Sequence, residues 1–550
     1  MNRFRAAIYT LCALCAALGS QAQDSPVQVH GNVQFNGLLA QEDKVINAPK
    51  YDEPFRFNTY ADFGLTSKYV DAGLRFEYMM FPLPGYEQDS RGWGVPNLYV
   101  KGKYKGFELT AGSFYEQFGS GLILRLYEDR PLGIDNALSG ARLKVNAING
   151  VRLTVLGGVQ RRYWKWDWKS QTYGADAEVY MDDLFKSIRD RGTSWMLGAS
   201  YVLNHPAEGD VMVPGTDFRL NLPSTVSAMD FRTRFTKGNW SVLAETAFKG
   251  QDPIADNGYT YGDGSVYLLS ASYSKSGLSA LVQAQRNQNF TMRSDRYVTG
   301  ISAMLNNMPA FAYQHTYALA AMYPYSTQTV PGEWAYQAAL SYKFKRGSAL
   351  GGKYGTTFRL NASYVRGLDL DGREFDKNSM RGTDGPGASF FGWGDVHYQD
   401  VNLQMEKRIT RDFTLTAMYM NQLYNKTVVE GEGGNIRSNI FVLDGKYKFN
   451  RRYTLRAELQ YLTTRQDARD WAYGMVELSV QPYLMFSLSD MWNCGSTGDH
   501  YYMAAVTGNY RNNRLMLAYG RTREGINCSG GVCRKMPATH GLQIAYTYNF

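Results

Sequence analysis

The chain has 550 residues, 44% of them hydrophobic, 20% charged and 14% aromatic, with 55 Gly and only 17 Pro. That mix excludes a disordered protein, a collagen-like one and a small disulfide scaffold. The net charge of +9 is spread along the chain, without the basic face or named motif that a nucleic-acid partner requires.

Arg3 and Arg5 precede an apolar stretch from Ala6 to Leu18, and Ser20-Gln21-Ala22 supplies small residues for cleavage. This is the pattern of a secretory signal peptide over 1–22. Cys12 and Cys15 each follow a Leu, where a lipidation signal wants a small residue, so the exported chain is expected to carry no lipid anchor. Beyond residue 22 no apolar run approaches the roughly 18 residues of a transmembrane helix.

From Val27 to Phe550 the dominant signal is alternation of period two in segments of about ten residues, the signature of a tilted membrane-spanning β-strand. Met229, Phe231 and Phe235 oppose Asp230, Arg232 and Arg234. Tyr453, Leu455, Ala457, Leu459 and Tyr461 oppose Thr454, Arg456, Glu458 and Gln460. The last strand sets Leu542, Ile544, Tyr546, Tyr548 and Phe550 against Gln543, Ala545, Thr547 and Asn549. One face suits lipid and the other water, so Arg232, Arg234, Arg456 and Glu458 are expected to line a lumen.

Connections alternate too. Short turns fall at Thr66 to Lys68, Lys103 to Gly106, Lys237 to Asn239 and Arg511 to Arg514, and long stretches lie between them, such as Gln41 to Pro54, Arg286 to Glu333 and Gly367 to Asp395. Short periplasmic turns and long extracellular loops mark an outer-membrane barrel. The expected fold is therefore all-β: one integral outer-membrane, antiparallel, up-and-down β-barrel over 23–550, with roughly 18 to 24 strands. Ala175 to Phe185 and Phe118 to Leu132 are the weakest candidate strands. Aromatics near strand ends, such as Trp240 with Phe248 and Tyr453 with Tyr461, suit girdles at the headgroups of outer-membrane lipid and lipopolysaccharide.

The segment FYEQFGSGLILR from Phe114, the segment MPAFAYQHTYALAAMYPY from Met308 and the tail RTREGINCSGGVCRKMPATHGLQIAYTYNF from Arg521 resemble an uncharacterised outer-membrane β-barrel family of Bacteroidota. The resemblance covers essentially the whole mature chain. It implies that the terminal Phe550 is the signal read by the barrel-insertion machinery.

Little in the sequence points to chemistry. Cys528 and Cys533, in CSGGVC, are spaced for a local disulfide in an oxidising compartment, with Cys494 left free; a bridge from Cys494 to either is the alternative. Beyond the signal peptide there is no CxxC or HxxxH spacing for a metal, and no cofactor is expected. The six His stand in no catalytic motif. His315 is the best of them, and a polar contact within a folded loop explains it more simply than catalysis. The tract from Arg161 to Ser170, with three Trp and a Tyr among cations, suits either sugar stacking or an aromatic girdle.

A barrel of about 20 strands without a separate plug domain leaves a wide lumen that something must fill. The stretch from Arg286 to Glu333 is the internal candidate, through an apolar group formed by Met304, Leu305, Met308, Phe311 and Tyr313 that an exposed loop would not place in water. The expectation is a non-enzymatic barrel acting as a scaffold subunit of a larger outer-membrane complex for protein insertion, secretion or envelope biogenesis, with other outer-membrane proteins or surface lipoproteins as partners. The alternative is a porin-like channel or a transporter for small or hydrophobic solutes.

Overall fold

The computed structural model describes residues 27–550 except 167, 214, 309, 310, 530 and 531. The predicted signal peptide lies outside the described residues. Twenty-four strands form one closed antiparallel wall. The first eight are β1 (Val27–Ala40), β2 (Phe55–Ser67), β3 (Val70–Met79), β4 (Gly92–Tyr104), β5 (Phe107–Phe114), β6 (Leu138–Ile148), β7 (Val151–Arg162) and β8 (Gln171–Tyr180). The next eight are β9 (Thr193–His205), β10 (Val226–Lys237), β11 (Trp240–Lys249), β12 (Gly264–Lys275), β13 (Leu278–Gln288), β14 (Gly332–Phe344), β15 (Thr356–Leu368) and β16 (Trp393–Arg408). The last are β17 (Phe413–Asn425), β18 (Asn435–Lys448), β19 (Tyr453–Thr464), β20 (Trp471–Val480), β21 (Leu484–Asn493), β22 (His500–Tyr510), β23 (Asn513–Thr522) and β24 (Thr539–Asn549). The count is the upper end of the expected range.

Each strand pairs with its sequence neighbour, and β24 pairs with β1 from Asn32 opposite Asn549 to Ala40 opposite Gly541. Closure leaves no strand edge, which is what lets a sheet sit in hydrocarbon with every backbone group paired. Phe550 extends this seam: its carbonyl accepts from the Gly31 N–H at 2.9 Å and its N–H donates to the Gly31 carbonyl at 3.0 Å. Its ring lies against Tyr548 and Phe63, over Gly31, where a Cβ would run into the ring. A residue larger than Gly at position 31 would displace the terminal ring.

The alternation in sequence becomes two surfaces. On β19, Leu459 on the outside is 63% exposed while its neighbour Glu458, turned inward, is 5% exposed. Met229, Phe231 and Phe235 are likewise exposed outside, and Asp230 and Arg232 are buried inside. An apolar outer belt around a polar interior is the inversion that a membrane-spanning barrel requires.

All connections that follow even-numbered strands lie at the end that holds Val27 and Phe550, and most are tight. At 105–106 both residues have positive φ, 44° at Lys105 and 85° at Gly106, so the turn twist matches the strand twist. The opposite end carries the long connections, including 115–137, 206–225, 289–331 and 369–392.

Two weak strand expectations need correction. The strand predicted at Ala175 to Phe185 runs instead over Gln171–Tyr180, and Met181–Leu184 and Lys186–Arg189 form single helical turns. The tract from Phe118 to Leu132 is not in the wall at all. It folds into the lumen, where its apolar residues have partners that a lipid-facing strand would lack.

Candidate functional site in the barrel lumen

The protein's main apolar core is inside the barrel. Phe118, Leu122, Ile123 and Leu124 from 115–137 pack with Phe290, Met292, Leu305, Met308, Phe311, Leu319 and Met322 from 289–331. Inward wall residues such as Val266, Val365, Met420, Ile440 and Leu462 complete the cluster. The two loops are also stitched together. Asn306 donates to the carbonyls of Leu122 (2.8 Å) and Phe290 (2.9 Å), and the Arg125 N–H donates to the Leu305 carbonyl at 2.8 Å.

The loops fill one half of the lumen. Along the inward face of β16, the Asp400 side chain is 0% exposed at mid-strand, while that of Glu406, nearer the termini, is 43% exposed. A cavity of about 690 Å³ lies towards the termini, with His30, Asn32, Arg75, Lys101, Arg142 and Asn549 in its lining. Under β16 the lumen is therefore packed by the loops and open towards the termini, while cavities of about 400 and 580 Å³ remain at the loop end, one beside Phe290 and Arg293 and one beside Arg130 and Arg534.

The first loop is held by charge. Arg75 on β3 donates to Asp62 on β2 at 2.7 Å, to Glu128 at 2.9 Å and to Asp135 at 3.0 Å. Arg130 returns from the loop to Asp62 at 2.7 Å. Arg161 on β7 donates to Glu77 on β3 at 2.7 Å and also reaches Asp135. Arg142 on β6 donates to Glu116 at 3.1 Å, and Glu245 on β11 accepts from the Ser120 N–H at 2.9 Å. Burial raises the Glu128 carboxyl above its ordinary range despite Arg75 and Arg130, and lifts the Tyr127 phenol to about 12.

The tip of the second loop is held differently. His315 contacts Asp400 at 2.7 Å, Tyr317 donates to Asp444 on β18 at 3.3 Å, and Tyr323 donates to Asp467 at 2.9 Å. Tyr325 donates to Glu333 on β14. The Leu319 N–H donates to the Gln460 amide oxygen on β19 at 2.8 Å, and Gln422 on β17 donates to the Tyr323 carbonyl at 3.0 Å. The rings of Tyr323 and Tyr325 lie against Tyr424 and Tyr398 at centroid distances of 5.4 and 5.1 Å. Burial and the nearby carboxylates push both phenols up, so they remain donors through the neutral range.

The residues singled out in sequence distribute as follows. Leu305, Met308 and Phe311 are in the core, and Met304 packs beside it against Leu132 and Ile134. Tyr313 is 39% exposed, which corrects its inclusion in the apolar group: it turns out of the core and rests edge-on against His315. Arg232 and Arg456 do face inward, but both are tied to acids. Arg232 reaches Asp176 at 2.6 Å and Asp230 at 3.0 Å, while Arg456 reaches Asp444 at 3.0 Å and Glu458 at 2.5 Å. Arg234 is exposed on the same inward face, nearer the termini. Gly525–Ser529 and Val532–Met536 pair antiparallel with Cys528 directly opposite Cys533, and Cys494 carries a free thiol. In the tryptophan tract, Trp164 is tucked against Gly92 with its indole N–H donating to the Ser90 carbonyl at 3.2 Å, whereas Trp168 is exposed. Lys165–Trp166 fold back on Arg161–Arg162 as a hairpin beyond the wall.

Sequence reading missed the role of 115–137, of the wall acids Glu333, Asp400 and Asp444, and of Asp467 in the connection between β19 and β20. A signal for the first was present in FYEQFGSGLILRLYEDR, where apolar and charged residues mix without period two.

Several solved barrels are similar to this chain. The P pilus usher PapC translocation pore is 9% identical at a TM-score of 0.37, covering 95% of this chain and 99% of the usher chain. Pseudomonas aeruginosa OpdL is 13% identical at 0.37, covering 79% and 97%. A mutant form of the ferric enterobactin receptor PfeA, from the same organism, is 10% identical at 0.41, covering 96% and 81%. No curated protein matches the sequence. A family model matches residues 1–550 in full, and the chain belongs to that family, a family of unknown function (DUF6029).

Proposed function

We propose that the protein is a non-enzymatic gated conduit of the outer membrane, held shut at rest by its own loops 115–137 and 289–331. One observation carries this reading: the inward face passes from fully buried at Asp400 to open at Glu406 along a single strand. A wet vestibule that ends on a packed barrier is half of a transport path. The wall of 24 strands encloses far more space than a structural β-barrel needs, since barrels of 16 to 18 strands already leave an aqueous channel. The test is conductance in planar bilayers. The intact protein should conduct little, and removal of 311–327 should open steps of porin size. A large stable pore in the intact protein overturns the reading.

A scaffold subunit of an insertion, secretion or envelope-biogenesis assembly is the second reading. The ion-pair network that fixes 115–137 favours it, since a permanently filled lumen would serve a scaffold well. The readings separate on whether any variant of 289–331 opens a pore. In either, a cleaved signal peptide exports the chain, the exposed girdle meets outer-membrane lipid and lipopolysaccharide, Phe550 at the seam serves the insertion machinery, and Cys528 and Cys533 form the disulfide that their register allows.

A further inference from the structure

The wall under residues 315–325 is furnished for a peptide, and the peptide it holds is the protein's own. Two side-chain amides read main chain: Gln460 accepts from the Leu319 N–H, and Gln422 donates to the Tyr323 carbonyl. Four acids, Asp400, Asp444, Asp467 and Glu333, accept from the side chains of His315, Tyr317, Tyr323 and Tyr325. Between these anchors the buried side chains of Leu319, Ala320 and Met322 fill an apolar trough. Asp400 and Glu333 have no Lys or Arg within ion-pair reach among the described residues. Asp444 and Asp467 also keep Arg456 and Lys426, and Asp400 also accepts from Asn402; four acids facing the segment still favour an occupant with donors over an anion, and the trough favours apolar bulk over a simple ion or sugar.

We propose that this wall face is a binding site for an extended polypeptide segment with hydroxyl or imidazole donors spaced along small apolar residues, and that 315–325 is its internal occupant. The inference rests on the gated reading, and names what opens the gate. Two further inward amides fit a site that is completed from outside: Gln285 and Asn287 on β13 are fully buried, and neither makes a side-chain hydrogen bond among the described residues. A buried amide left unpaired is costly, and a longer or differently placed occupant would satisfy it. A tethered strap competes at an effective concentration on the order of millimolar. An external segment therefore needs high local concentration or better contacts, as a chain delivered by a partner would have.

The test uses the full-length protein with 311–327 replaced by a Gly-Ser linker, its folding checked by heat modifiability. Probes are a synthetic peptide of residues 311–326, a scramble of it and a maltooligosaccharide. The expected result is an open pore that the native-sequence peptide blocks at a concentration at least about tenfold below the scramble, a difference of about 1.4 kcal/mol, with no block by the sugar. Equal block by native and scrambled peptide, or preferential block by the sugar, overturns the peptide site while leaving the gate intact. A folded variant that stays closed overturns the gated reading; fluorescence anisotropy of the labelled peptide on that variant then supports or overturns the site by itself. If the deletion fails to assemble, Leu319→Asp with Tyr323→Ala expels the strap from an otherwise unchanged chain and carries the same assay.

Discussion

Two sides of one lumen are closed by different chemistry. On the β2–β7 side, guanidinium and carboxylate groups are buried together, with Arg75, Arg130 and Arg161 shared among Asp62, Glu77, Glu128 and Asp135. On the β14–β20 side, phenols, one imidazole and two amides hold a strap over an apolar trough. Removing one partner of a buried ion pair strands a charge and costs about 3–5 kcal/mol, whereas a neutral amide hydrogen bond contributes about 1 kcal/mol and one from a phenol to a carboxylate about 1.5–3 kcal/mol. On this account the first loop is fixed to the wall, and the second is the one that exchanges.

The comparison can be broken at its strongest point by Glu77→Ala, which leaves Arg161 with Asp135 and the Tyr163 carbonyl. We expect a loss of about 3–5 kcal/mol in barrel stability, read by urea unfolding, with little conductance below the transition. Leu319→Ala should act on the gate and not on the wall. It removes a fully buried side chain, so strap docking should weaken by about 2–4 kcal/mol, seen as frequent openings with barrel stability nearly unchanged. Alkaline pH sharpens the contrast. Docked Tyr323 and Tyr325 hold their protons more tightly than a free phenol, so docking is at full strength below about pH 10 and weakens as pH rises above it. Openings should therefore increase above that pH, and Tyr323→Phe with Tyr325→Phe should flatten the dependence. The smallest effect belongs to Tyr323→Phe alone. Asp467 keeps Lys426 at 2.9 Å, so the loss should lie at the low end for a bond to a carboxylate, about 1.5 kcal/mol, roughly a tenfold rise in open probability.

The wall was legible because its environment is written residue by residue. Leu459 and Glu458 face opposite sides of the wall, and that alternation repeats along strands such as β10 and β18. The lumen was only half legible. Met308 and Phe311 betrayed a buried loop by being apolar in a long connection, but Tyr313 next to them is exposed, because a folded loop has no fixed period from which to read a face. Leu122 and Leu305 meet across a sequence separation that no local pattern records. A compact apolar run such as Phe118 to Leu124 reads equally as a strand facing lipid. The ion pairs were hidden for the same reason: Arg75 finds Glu128 and Asp135 only once the barrel has closed around the loop.

The difference between the two sides is most directly measured by thiol access. Leu122→Cys and Leu319→Cys would each be placed in a chain whose free Cys494 is replaced by Ser, and exposed in intact cells to a membrane-impermeant thiol reagent. Both positions are fully buried at rest. The account predicts that Leu319→Cys reacts through strap opening, while Leu122→Cys stays protected over the same time. Equal protection of both, or faster reaction at position 122, would contradict it.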